Sequence, residues 1–194
     1  LLNNELVSRR YDKSYKLLGK SARYHLSTKA LKLLKTEEGI DNKVLHARYK
    51  DKQVSESFVD HNLSIVRLYL DIESKYPNVF EVFTKAELAN DEEMIKPLPD
   101  LYLSRVRSDV SKPDDYFIDI INSPMLFIAK HRVDEYIDHM QSGEWEGDYP
   151  SVVLICKDDK FKAKLDGYIE SSMDNKYLDE YDLDLLVATV FSLG

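Results

Sequence analysis

Tyr116-Phe117-Ile118-Asp119-Ile120-Ile121 sets five large apolar residues around a single carboxylate. A run this short, rich in aromatic and β-branched side chains, reads as a strand covered on both faces. The chain that follows supports that setting. Phe127 to Met140 has the spacing of an amphipathic helix closed by Gly143, and Ser151–Cys156 is a β-branched strand of the parallel-sheet type. Phe161–Met173 reads as another helix and Asp184–Phe191 as a last strand. Upstream, Ser108–Asp115, with Lys112-Pro113-Asp114-Asp115, reads as a turn, and Leu98–Val106 as a strand with Pro99 at its edge. Val79–Phe83 is a further strand, followed by a helical turn around Lys85–Leu88. From Ser55 to Tyr76, the positions Phe58, Val59, Asn62, Ile65, Val66, Tyr69, Leu70 and Ile72 recur at threes and fours, giving a long helix stopped by Pro77. A helix, a three-stranded meander, a crossover helix and a returning strand make one mixed α/β (α+β) sheet flanked by helices.

The first quarter has another character. Residues 1–52 hold thirteen Lys and Arg against six Asp and Glu, while residues 53–194 hold fourteen against twenty-nine. The domain boundary is placed between them, at 52/53. A basic segment of this kind can face phosphates, which the acidic remainder would repel. Glu5–Arg10 alternates as a short strand, Tyr11–Ser21 is polar and basic like an exposed hairpin tip, and Arg23–Leu26 is the returning strand. Ser27 offers an N-cap to a helix over Thr28–Lys35, with Leu31, Leu33 and Leu34 as its buried side. Residues 36–53 are read as irregular or as a second short hairpin around Asn42. Arg9, Arg10, Lys13, Lys16, Lys20 and Arg23 gather on the first hairpin with Tyr11 and Tyr15 between them, a pattern suited to phosphate contacts that position rather than specify.

The composition excludes several classes. No run of 18 apolar residues occurs, so a membrane helix is not expected. One cysteine, Cys156 in an apolar strand, allows neither an internal disulfide nor a cysteine-based zinc site; it reads as a small buried hydrophobe, and a reducing cytoplasm is the consistent location. The opening Leu1-Leu2-Asn3-Asn4 lacks an initiator Met and the features of a signal peptide, and reads as a trimmed or partly ordered chain. His25, His46, His61, His131 and His139 are scattered, and only the last two share a helix, eight residues apart. There is no Gly-rich phosphate loop and no nucleophile elbow. Phe58, Tyr69, Phe80, Phe83, Phe117 and Phe127 are assigned to the core, and Trp145 to packing over a sheet edge rather than to stacking on a base.

Asp100 and Asp119 stand apart, the first after a proline at a strand start and the second inside an apolar run. Buried carboxylates are costly unless paired or bound to a cation. If their strands are neighbours the two converge at one sheet end, where they would suit Mg²⁺ or Mn²⁺ and water activation against a phosphodiester. The alternative is that both face solvent at strand ends.

Leu98-Pro99-Asp100, a hairpin, then Asp119 resembles the PD-(D/E)xK nuclease arrangement. That superfamily pairs an Asp with a second acid and a lysine two positions beyond it; here that position is Ile121, so the resemblance implies a degenerate site. It further implies Glu87 as an additional acid, and Arg132 (or Lys130) as the replacement for the lysine. Leu6-Val7-Ser8-Arg9, Tyr24-His25-Leu26-Ser27, Leu98-Pro99-Asp100, Phe117-Ile118-Asp119, Arg132-Val133 with Tyr136, Gly143-Glu144-Trp145 and Tyr149-Pro150-Ser151-Val152-Val153 together resemble the replication-relaxation family of bacterial plasmids and conjugative elements. Those proteins join a winged helix to a restriction-endonuclease-like domain. The resemblance implies that residues 1–52 are the back part of a winged helix, with the recognition helix directly before Leu6 and only Leu1–Asn4 left of it. A chain cut in that way is expected to bind DNA weakly by itself. The partners implied are double-stranded DNA, relaxase or replication proteins, and a second copy of the chain. The role implied is a DNA-binding accessory or regulatory protein with a degenerate domain, or, in the alternative, a Mg- or Mn-dependent endonuclease.

Overall fold

The computed structural model describes residues 1–11, 13–40, 42–92, 94–106, 115–175 and 183–189. The chain divides into two compact units, Leu1–Val59 and Asp60–Gly194.

In the first unit, β1 (Val7–Arg10) pairs antiparallel with β2 (Arg23–Leu26), Arg9 standing opposite Tyr24. The hairpin tip is not an open loop. It carries a short helix, α1 (Lys13–Leu17), because Tyr15 folds inward, its hydroxyl donating to Glu56 Oε2 at 2.7 Å. Ser27 caps α2 (Thr28–Leu34) as expected, Ala30 N donating to its Oγ at 3.1 Å. The buried side of α2 is Ala30 and Leu31; Leu33 faces out, since it lies two positions round the helix from Leu31. Residues expected to be irregular or a hairpin instead form α3 (Asn42–Arg48) and a 3₁₀ turn over Asp51–Gln53. A seven-residue helix that buries one side chain, Leu45, has too few apolar positions to show a period.

α4 (Glu56–Lys75) begins in the first unit and runs through the start of the second. The second unit is a mixed sheet in the order β3 (Phe80–Thr84), β4 (Leu101–Arg105), β5 (Asp115–Ile121), β6 (Ser151–Cys156) and β7 (Leu185–Thr189). The first three form an antiparallel meander, and β5, β6 and β7 are parallel, joined through α5 (Leu126–Ser142) and α6 (Asp159–Asn175). The turn expected over 108–114 and the end of the last strand lie outside the described residues. Alternation along β5 builds two cores. Phe117 and Ile121 face α5 and α6, with Val133, Tyr136, Ile137 and Leu165. Ile118 and Ile120 face α4, with Ile65, Leu68, Tyr69 and Ile72.

Two aromatic assignments fail. Phe58 and Phe127 are 48% and 66% exposed, each in the first turn of its helix. Val66 and Leu70 also point away from the Ile65-Leu68-Tyr69-Ile72 stripe. Trp145 packs, but on the inner strands rather than over a sheet edge: it stands edge-on to Phe117 of β5 at 5.3 Å and near Tyr102 of β4 and Tyr149. Gly143 ends α5 with φ of 69°, a left-handed turn that glycine takes without strain. Cys156 is buried, and burial pushes its thiol up to about 11. Among the described residues no helix is long and apolar enough to cross a membrane.

Candidate functional site

Leu101 lies opposite Ile118 in the β4–β5 ladder, so the next position brings Asp100 alongside Asp119. The two acids clasp each other's strands. Asp100 N donates to Asp119 Oδ1 at 3.1 Å, and Ile120 N donates to Asp100 Oδ2 at 2.9 Å. Both residues are buried, at 3% and 7% exposure, so the solvent-facing alternative is excluded.

Each carboxylate has its own cation. Asp119 Oδ2 accepts from Arg132 Nε at 2.5 Å and from the Tyr136 hydroxyl at 2.7 Å. The same guanidinium donates from Nη1 to Glu135 Oε2 and from Nη2 to the Tyr136 oxygen, each at 3.0 Å. Burial by itself would make this guanidinium easier to deprotonate; Asp119, Tyr136 and Glu135 more than reverse that, so it stays a cation. Asp100 Oδ1 meets Lys85 Nζ at 2.7 Å and His61 Nε2 at 2.9 Å. Asn122 Nδ2 lies 3.0 Å from His61 Nδ1. An amide nitrogen can only donate, so this contact sets Nδ1 as acceptor and Nε2–H as the donor to Asp100.

Burial pushes the Asp100 carboxyl up, but hydrogen bonds from His61, Lys85 and Ile120 N outweigh it and hold the group below the usual carboxylate range. A depressed folded value stabilises the fold above the unfolded pKa, about 3.9, and that contribution is lost as pH falls through the folded value. Asp100→Asn is therefore expected to lower stability at neutral pH and to flatten the acid side of a pH-stability curve below about pH 4. Urea midpoints measured from pH 2 to 7 test this; an unchanged acid slope would remove Asp100 from it.

Of the other expected site residues, Glu87 and Lys130 do not join the pair. The Glu87 carboxylate accepts from Thr84 N and Oγ1, both at 2.8 Å, closing the turn after β3. The Lys130 ammonium lies over the Tyr168 ring, 4.5 Å from its centre. Ile121, where a lysine was looked for, is buried among α5 and α6 side chains. His61, Lys85 and Tyr136 were not anticipated. Two of them had a signal: His61 continues the Ile65-Tyr69-Ile72 stripe, and Tyr136 lies one turn beyond Arg132, itself a charge on the buried Ala129-Val133-Tyr136-Ile137 stripe. Lys85 follows β3 with no pattern around it.

The fit to a divalent ion is poor. All four carboxylate oxygens of the pair already accept hydrogen bonds, and two of those oxygens are held by protein cations. Among the described residues no group of three or more His, Cys, Asp or Glu is placed to hold a metal ion.

In the first unit the six basic residues divide into two groups. Arg10 and Arg23 are tied to Glu56, Nε to Oε1 and Nη1 to Oε2 at 2.7 Å each, and Arg10 Nη1 also donates to Val54 O at 2.8 Å. Arg23 also lies over the inward-turned Tyr15 ring. Glu56 raises the Tyr15 phenol through the hydrogen bond it accepts. Arg9, Lys13 and Lys16 are exposed, Arg9 with its guanidinium 5.5 Å from the centre of the Tyr11 ring, and Lys20 is half-buried.

Among known proteins, the chain matches no family model, no curated protein and no solved structure.

Proposed function

We propose that the chain is a DNA-binding accessory protein of a mobile genetic element, of the replication-relaxation type, in which a winged-helix remnant meets duplex DNA and a nuclease-like domain serves as a scaffold. The observation that carries the DNA reading is the division of the basic hairpin. Glu56 holds Arg10 and Arg23 and fixes the hairpin from within, which leaves Arg9, Lys13 and Lys16 directed to solvent for phosphate contacts. The scaffold reading is supported by the closed carboxylate pair and by Ile121 in the lysine's place.

Fluorescence anisotropy with a labelled duplex tests the first part. The Arg9→Ala/Lys13→Ala/Lys16→Ala variant is expected to bind about tenfold more weakly at low salt, and the slope of log K against log salt to flatten by about 0.9 for every phosphate no longer neutralised. Affinity and slope both equal to the parent's would take the hairpin out of the interface. Arg10→Ala and Arg23→Ala are poor probes, because each also releases Glu56.

One observation favours a second reading, a metal-dependent endonuclease: Lys85 brings an ammonium to Asp100, where a missing lysine could be replaced from another strand end. Plasmid cleavage in Mn²⁺ that disappears in Asp119→Ala would establish it and would reject the scaffold.

A further inference from the structure

The nuclease-like arrangement implies a divalent cation between Asp100 and Asp119, and the side chains there do not fit one. We infer that the Arg132 guanidinium stands in the cation's place beside Asp119, so that the native pair is closed to divalent metal and replacing Arg132 opens it. This rests on the nuclease-like reading of the second unit, but not on the DNA reading of the first.

The geometry supplies the reason. Asp119 presents Oδ1 to Asp100 N, and Oδ2 to both Arg132 Nε and the Tyr136 hydroxyl. A Mg²⁺ or Mn²⁺ ion needs carboxylate oxygens at about 2.0–2.2 Å and a shell of oxygens around it. It cannot approach Oδ2 while a guanidinium nitrogen sits there, and the two cations would repel each other. Displacing Arg132 is not a matter of a side chain swinging into water. The residue is 8% exposed, is anchored by Glu135 and Tyr136 as well as Asp119, and has its guanidinium carbon 4.3 Å from the Tyr136 ring centre. The Lys85 ammonium closes Asp100 in a looser way, since its side chain is half exposed and can swing away. Asp100 is itself 3% exposed and its Oδ1 also accepts from His61, but the ammonium on it can leave; the buried Arg132 guanidinium cannot, and it is this fixed charge beside Asp119 that keeps a metal from bridging the pair.

The test uses Mn²⁺ as the probe, on the parent chain, on Arg132→Met and on Arg132→Met/Asp119→Asn. Met keeps the buried stem and removes the charge. Bound Mn²⁺ is counted by the loss of the free-ion paramagnetic resonance signal, and melting temperatures are recorded with and without the ion. The parent is expected to bind no Mn²⁺ at this pair and to melt at the same temperature in both. Arg132→Met is expected to bind one ion and to melt several degrees higher in excess Mn²⁺, as a ligand that binds only the folded state requires. The Asp119→Asn change in that background is expected to abolish both effects. Stoichiometric binding by the parent that disappears in Asp119→Asn overturns the inference. So does an Arg132→Met chain that gains no affinity, or one that stays unfolded even in Mn²⁺. Duplex binding by the parent in a chelator is read in parallel. If it persists whatever the Mn²⁺ result, the DNA reading stands apart from this one; if it is absent, only the DNA reading falls.

Discussion

Asp119→Ala is expected to destabilise the second unit by about 3–5 kcal/mol, because it leaves the Arg132 guanidinium in the interior with no carboxylate beside it. The size follows from what remains after the deletion. Tyr136 loses its acceptor, Asp100 N loses Asp119 Oδ1, and water cannot easily replace either behind α5. The pair in place is not itself worth that much, since desolvating two charges offsets most of their attraction. A cycle separates the two quantities. Asp119→Leu/Arg132→Met removes both charges and should recover most of the loss, so that the double variant is far less destabilised than the sum of the single ones. Urea denaturation followed through Trp145, the single tryptophan, reports on this unit. Additive losses would mean that Asp119 and Arg132 act independently, and the pairing would then contribute nothing to stability.

Phe117→Ala is expected to cost a similar amount, about 3–5 kcal/mol, by a different mechanism. Phe117 is fully buried and is ringed by Tyr102, Tyr136, Trp145 and Tyr149, with ring centres 5.3–5.9 Å away. These neighbours come from β4, α5 and the segment before β6, and cannot all close on one void. Phe127→Ala is the control. Phe127 is 66% exposed at the first turn of α5, and its removal should change stability by less than about 0.5 kcal/mol. Equal losses from the two changes would contradict the packing described for this core.

The comparison of those two phenylalanines shows how far the sequence reaches. Both sit in apolar stretches, and spacing assigned both to the core. What separates them is whether another element lies opposite, which no local pattern contains. The same limit hid α3, whose single buried Leu45 leaves no period, and placed Leu33 inside when it is 52% exposed. It also explains α1, since Tyr15 turns inward only because Glu56, 41 residues away, accepts its hydroxyl.

What the sequence determined by itself was the second unit's element order, and with it the sheet. Apolar runs of five to seven residues alternating with helical stripes admit few connections, and short links plus right-handed crossovers leave a meander followed by parallel strands. It also singled out Asp119, because a carboxylate inside an apolar run needs a partner wherever the chain takes it, whereas Arg132 entered only through the resemblance to the nuclease arrangement. Only the tertiary structure decided which partners. The register of β4 against β5 set Asp100 beside Asp119, α5 carried Arg132 to one carboxylate, and α4 and the end of β3 brought His61 and Lys85 to the other. Periodicity fixes which side of an element is apolar; proximity between residues dozens of positions apart is a property of packing, and packing is where the pair acquired its cations.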